Sequence, residues 1–318
     1  MELVAFCDIV EERAVEACEK YGTPDAKVYT DYKELLKDET IDVVHVCTPH
    51  YLHAPMAIEA LGNGKNVLTE KPMATGVEDA RAMIAASEKP GAGMLGVIFQ
   101  NRYNASTVEL KRLIDSGETG RLIGARAMIC WHRTAPYYTQ SPWRGRWDTE
   151  GGGALINQSI HTLDLLSYLG GPIRRVKGHI STDLLADAIE VEDNAHAVFE
   201  YESGATGVIY ATNNYAADAP IVLEMVFENA AYQLWAEKLF KVEDGVPRMV
   251  ARGEDAKELG EKSYWGASHK IQIGKVYDSI LSGCRFEIDG RSAFGALALV
   301  KGIYESSSTG NWAVLPRP

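Results

Sequence analysis

The chain has 318 residues, 46% of them hydrophobic, and a formal net charge of -12, which allows two domains with cores of their own and excludes a fibrous or disordered polymer. Nucleic acid or an anionic membrane as main partner is excluded by the same charge, since both need clustered basic surface. Five scattered cysteines (Cys7, Cys18, Cys47, Cys130, Cys284) suggest neither a disulfide framework nor a zinc site, and point to a reducing cytoplasm.

Leu3-Val4-Ala5-Phe6-Cys7 reads as a strand ending at Asp8, followed by a helix over 11–21, a short strand at 27–29 and a helical turn at 31–36. The β-branched run 41–47 is a strand, 53–61 has the spacing of an amphipathic helix, and 66–69 is a second short strand. A helix over 77–88 and a strand over 94–99 follow. Alternation of this kind predicts a parallel sheet covered on both faces. No segment approaches the about 20 apolar residues of a membrane span, and no basic, apolar leader opens the chain. Gly91-Ala92-Gly93-Met94-Leu95-Gly96 matches the dinucleotide fingerprint literally, but it follows a helix and precedes a strand. Phosphate binding needs the reverse order.

Two strand ends deliver polar residues to one sheet edge, where open α/β folds bind ligands. The first gives Thr48-Pro49 and the second Glu70-Lys71-Pro72. Proline confines Lys71 to extended geometry, and the Lys71–Pro72 bond is a candidate for the cis form. From residue 100 onward the pattern changes: a helix to about 116, then long strands at 121–131, 175–182, 194–201, 206–212 and 221–228, with Glu202-Ser203-Gly204 as a hairpin turn. The expectation is a Rossmann-like domain at 1–99 and an α+β domain at 100–318 with a large, mostly antiparallel open sheet. An open sheet face commonly buries itself in a homodimer or homotetramer.

The triple glycine Gly151-Gly152-Gly153 leads into a helix over 153–169, apolar nearly all round and therefore buried. Its exceptions, Asn157, His161, Asp164 and Tyr168, are spaced to share one stripe and must face polar partners, a ligand or a wet cleft. A purely structural network, with Asp164 fixing the His161 ring, is the alternative. Upstream lies a loop with Tyr137, Tyr138, Trp143, Arg144 and Trp147, suited to stack on sugar rings and grip carboxylates or phosphates, or else to close the core.

Thr48, Pro49 and His53, then Glu70-Lys71-Pro72, Asn101-Arg102-Tyr103 and the glycine-rich entry to a helix bearing His161 and Asp164 make the chain resemble the Gfo/Idh/MocA oxidoreductases over nearly its whole length. The resemblance implies hydride transfer between a nicotinamide cofactor and a secondary alcohol or ketone of a sugar, polyol or sugar derivative. It implies Lys71 as proton shuttle and His161 as a partner that holds the same hydroxyl. Cofactor contacts are expected from Thr48, Pro49, His53, Glu70, Lys71, Pro72 and Asn101, and substrate contacts from Asn157, Arg102, Tyr137, Trp143 and Arg144. Where the family commonly carries an aspartate one turn before the histidine, this chain has Asn157, which can orient a hydroxyl but cannot take its proton.

Asp8, at the end of the first strand read here, is placed to bind the adenosine ribose and to favour NAD over NADP; its alternative role is a helix N-cap. No metal is expected. The strand and glycine-rich turn that open a Rossmann domain are not seen before Leu3, so either the sequence starts late or the chain is a relative that has lost its dinucleotide, and weak NAD binding is expected. Two other functions stay open, an NAD-dependent glycosidase and a non-catalytic sugar-binding or regulatory protein.

Overall fold

A computed structural model describes residues 1–252 and 268–318. The N-terminal half alternates as read: β1 (Ala5–Cys7), α1 (Glu11–Tyr21), β2 (Lys27–Tyr29), α2 (Tyr32–Leu36), β3 (Val43–Val46), α3 (His50–Gly62), β4 (Asn66–Thr69), α4 (Val77–Ser87) and β5 (Leu95–Val97). The β-branched composition of β3 and β4 suits strands buried between helix layers. All pairings here are parallel, in two pieces, β1 with β2 and β3-β4-β5, and no ladder joins β1 to β3 among the described residues. Helices hold the pieces in place; the Tyr32 hydroxyl, for example, donates to Glu59 on α3 at 2.7 Å.

A 3-10 turn at Gln100–Tyr103 leads into α5 (Ala105–Asp115), β6 (Leu122–Cys130), α6 (Ala135–Thr139), a π-helical turn at Ala154–Ser159 and α7 (Ile160–Gly170). The strands β7 (Ile173–Ser181), β8 (Asn194–Tyr201), β9 (Thr206–Thr212), β10 (Val222–Phe227), β11 (Ala231–Trp235), β12 (Lys238–Glu243) and β13 (Val246–Arg252) follow. Then come α8 (His269–Ser282), α9 (Gly290–Thr309) and β14 (Ala313–Val314). One nine-stranded sheet collects β13-β12-β11-β10-β6-β9-β8-β7-β14, antiparallel except where β6 runs parallel to β9. The hairpin between β8 and β9 turns at Gly204, whose φ of 89° is the left-handed conformation that glycine adopts freely.

Leu155, Ile156, Ile160, Leu163 and Leu166 are fully buried, and α7 packs between β6 and α9 against one face of the large sheet. On the opposite face Met128, Val198, Val208, Tyr210 and Val226 are exposed. The end of the chain returns to the parallel domain: Gln272 on α8 donates to Val97 O and accepts from Phe99 N, and Val97 N donates to Ile288 O. The two sheets are thereby clamped around one cleft. No described helix is long and apolar enough to cross a membrane.

Candidate active site

The cleft, about 610 Å³, opens where β3 and β4 end against the entry to α7. His53 ties the two strand ends together. Its Nδ1 lies 2.7 Å from Pro72 O and its Nε2 2.8 Å from Thr48 O, and the ring is fully buried. With both nitrogens facing backbone carbonyls, His53 braces the two strand ends while its ring also lines the cleft. Pro49 stands just ahead of the first residue of α3, and Pro72 follows a cis peptide bond after Lys71. Thr48, Glu70 and Lys71 line the cleft.

Lys71 points across to the π-helical turn, donating from Nζ to Asn157 Oδ1 at 2.9 Å and to Asn157 O at 3.0 Å. The turn is fixed from behind by Glu192, whose carboxylate accepts from Gly153 N at 2.8 Å, Leu155 N at 2.9 Å and the Tyr304 hydroxyl at 2.8 Å. A Cβ on Gly152 would collide with the Tyr304 hydroxyl and one on Gly153 with Glu192 O, so the triple glycine is what lets this buried acid approach the backbone. Glu150 supports the same turn from the other side. Its Oε1 accepts from Asn157 Nδ2 at 2.5 Å and its Oε2 from Gly145 N at 2.5 Å.

Burial lowers the pKa of Lys71; Glu70 and Glu150 oppose the shift and Arg144 adds to it. Burial pushes Glu150 up to about 7, against its hydrogen bonds from Gly145 and Asn157 and the nearby Lys71 charge. His161 is held well below the ordinary histidine range by burial, then by Lys71 and His269. Its ring sits edge-on to Phe99 at 5.7 Å, and its buried Nδ1 has no hydrogen-bond partner among the described residues. Buried polar atoms without partners are uncommon.

Of the predicted loop residues, Tyr137, Trp143 and Arg144 line the cleft. Trp143 packs on His50 at 4.7 Å, and the Arg144 guanidinium lies over Tyr137 at 4.5 Å. Arg144 Nε is buried and unpartnered. A guanidinium with its Nε free of hydrogen bonds among the described residues, in a cleft also lined by Thr48 and Glu70, suits a phosphate-bearing cofactor or an acidic group on a substrate, so the residues present are compatible with a nicotinamide dinucleotide.

Arg102 is not at the cleft. Its guanidinium forms a bidentate pair with Asp164 (2.7 and 2.5 Å), donates to Ser292 Oγ and O, and lies 4.7 Å from the Tyr168 ring. The substrate contact expected of Arg102 is thus replaced by a structural one, and Asp164 holds Arg102, not the His161 ring. Asn101 is buried with an unpartnered Oδ1 and does not line the cleft. Asp8 accepts from Val10 N at 2.8 Å, shaping the start of α1. Tyr138 is buried and donates no contact to the cleft, its hydroxyl accepting from Asn213. Sequence reading missed Glu150 and Glu192, His50, and the wall formed by His132 and Arg133, whose Nη1 pairs with Asp218 at 2.9 Å. Only Glu150 left a signal, an acid abutting the triple glycine.

Comparison with known proteins matches both halves. Residues 1–98 fit a family model described as an oxidoreductase family with an NAD-binding Rossmann fold, and residues 107–233 fit the GFO/IDH/MocA C-terminal domain. Inositol 2-dehydrogenase of Salmonella paratyphi B is 35% identical over 169 residues, 53% of this chain and 47% of that protein. The scyllo-inositol 2-dehydrogenase (NAD(+)) of Bacillus subtilis is 30% identical over 222 residues, 68% of this chain and 62% of that protein. The match thus spans about half the length of the first relative. The WlbA dehydrogenase from Bordetella pertussis, solved in complex with NADH and UDP-GlcNAcA, superposes with a TM-score of 0.87 at 29% identity, covering 100% of this chain and 91% of that one. With both domain models of one family matched in order over more than half its length, and that architecture around one cleft, the chain belongs to the Gfo/Idh/MocA oxidoreductase family.

Proposed function

We propose that the chain is a dehydrogenase that moves a hydride between the nicotinamide of NAD and a secondary hydroxyl of a sugar or polyol. The observation that carries this is Lys71 Nζ, fixed by Asn157 at the mouth of a cleft that His161 also lines. The bound nicotinamide supplies the hydride acceptor. An ammonium cannot act as a base, so the pKa lowered by burial is what prepares Lys71 to take the alcohol proton. In the reverse direction the protonated amine polarises the ketone. Asn157 anchors Lys71 without competing for the proton, because an amide oxygen is an acceptor of negligible basicity. His161, uncharged across the neutral range, accepts or donates a hydrogen bond to the reacting hydroxyl and fixes which carbon faces the hydride acceptor.

Thr48 and Glu70 are the residues proposed to hold the cofactor beside Lys71, with Tyr137, Trp143, Arg144 and Asn157 on the substrate side. Asp8 keeps one carboxylate oxygen clear of its contact to Val10, and a negative charge at that strand end disfavours a 2′-phosphate, so NAD is preferred over NADP. The open apolar face of the nine-stranded sheet fits a second copy of the chain, and light scattering is expected to read a dimer or tetramer. The free cysteines fit a reducing cytoplasm. The test of the central reading is absorbance of reduced nicotinamide on mixing the protein with NAD and a panel of inositols and pyranoses. Reduction with at least one polyol is expected. No reduction with any, from protein shown by calorimetry to bind both NAD and sugar, overturns it.

A further inference from the structure

Asn157 touches Lys71 and Glu150 at once, and the chemistry of the two neighbours dictates how its amide stands. A lysine amine presents N–H donors to its surroundings, so the amide oxygen must face it, and the NH₂ group then turns to Glu150. A carboxylate is the one side chain that satisfies both groups converging on it, Asn157 Nδ2 and the Gly145 N–H, since each of its oxygens accepts. A glutamine there would face one of these donors with a donor. Glu150 is fully buried, at 0% exposure, so its charge is felt at Lys71 with little screening. An aspartate at 157 would have put a second carboxylate against it; the amide joins acid to lysine without that repulsion.

We propose that Glu150 is a positioning residue for Lys71, holding the Asn157 amide in the orientation that anchors the amine and setting the pH at which Lys71 gives up its proton. The proposal rests on the dehydrogenase reading for its catalytic consequence, but not for its effect on Lys71. The groups facing Glu150 are Lys71 across the amide, Glu192 and Tyr304 beyond the triple glycine, Tyr138 from α6, and His50, whose Nδ1 contacts the Glu150 backbone carbonyl at 2.9 Å. Lys71 is the cation that faces the Glu150 carboxylate through the amide; Lys301 on α9 bonds the adjacent Gly151 O and lies towards Glu192, which already has three hydrogen bonds of its own.

The test compares wild type, Glu150→Gln and Glu150→Asp by the pH dependence of Lys71 acetylation with acetic anhydride, read by peptide mass spectrometry, which needs neither cofactor nor substrate. Removing the anion in Glu150→Gln is expected to shift Lys71 titration to lower pH by about one unit. With NAD and an inositol, kcat is expected to fall roughly tenfold or more, as for other residues that orient a catalytic group, with KM for NAD nearly unchanged. Glu150→Asp keeps the charge and should titrate near wild type, which decides the matter if the glutamine variant does not fold. In an Asn157→Leu background Glu150→Gln should cost little further in kcat, because the amide through which Glu150 orients Lys71 is gone. A Lys71 titration that stays put in Glu150→Gln, or a fall in kcat on Glu150→Gln that is just as large in the Asn157→Leu background, overturns the proposal. A wild type that never reduces NAD sinks the dehydrogenase reading and leaves the acetylation result to judge Glu150.

Discussion

Two polar clusters lie along one buried helical stretch and differ in a single respect. Asn157 and His161, at its start, face Lys71 and the cleft, where His161 Nδ1 and Arg144 Nε have no partner. Asp164 and Tyr168, one to two turns further on, face Arg102, whose donors are taken up by Asp164, Ser292 and the Tyr168 ring. Both clusters are buried and charged. The closed one is complete without a ligand, and the open one is not. Satisfaction of hydrogen bonds, more than polarity or burial, therefore separates a structural polar network from a candidate site on the same element.

The comparison breaks first at Lys71. Lys71→Met is expected to lower kcat about 10²- to 10⁴-fold, the range for a general acid or base, while the urea midpoint of unfolding stays close to wild type. An equal loss of stability would mean that Lys71 belongs with the closed cluster. Asp164→Ala should do the converse. It strands the Arg102 guanidinium, 6% exposed, and breaking such a buried pair costs about 3–5 kcal/mol, visible as a lower urea midpoint at unchanged slope, with KM for NAD unaffected in the protein that remains folded.

Sequence reading went as far as local rules reach. The alternating first half follows from β-branched runs and helical spacing, and the long strands β6 to β10 from their period of two. The stripe from Asn157 to Tyr168 was also legible, but its division was not. A helix advances 1.5 Å per residue, so His161 and Tyr168 stand about 10 Å apart along it and meet different neighbours, and Arg102 reaches Asp164 from 62 positions away in the chain. The π-helical turn at Ala154–Ser159 was read as ordinary α-helix. Its first amides are bound by Glu192, a contact that no periodicity announces. Glu150 was passed over for the same reason: its meaning lies in Asn157 and Gly145 converging on it.

A smaller effect is expected at His161, and it sharpens the contrast because two measurements should move in opposite directions. His161→Leu removes a buried nitrogen that has no partner, so thermal unfolding should be unchanged or raised by an amount equivalent to about 1 kcal/mol, while kcat falls. The same substitution at a satisfied residue such as Asp164 can only destabilise.

A further effect is the dependence of stability on pH set by Glu150. Its folded pKa, pushed up to about 7 by burial, lies above the ordinary carboxylate value of 4.5. A carboxyl group shifted in this direction favours the folded state most when protonated. Its contribution is fully present below about 4.5, fades as pH rises through 7, and is absent above that. Glu150→Gln cannot ionise, so its stability relative to wild type should be poorest near pH 4.5 and should improve steadily towards pH 8, measured as the difference in unfolding midpoint across that range. Should the Glu150→Gln difference be flat from pH 4.5 to 8, Glu150 would titrate in the folded protein as it does in the unfolded chain, and burial in the open cluster would not govern its charge.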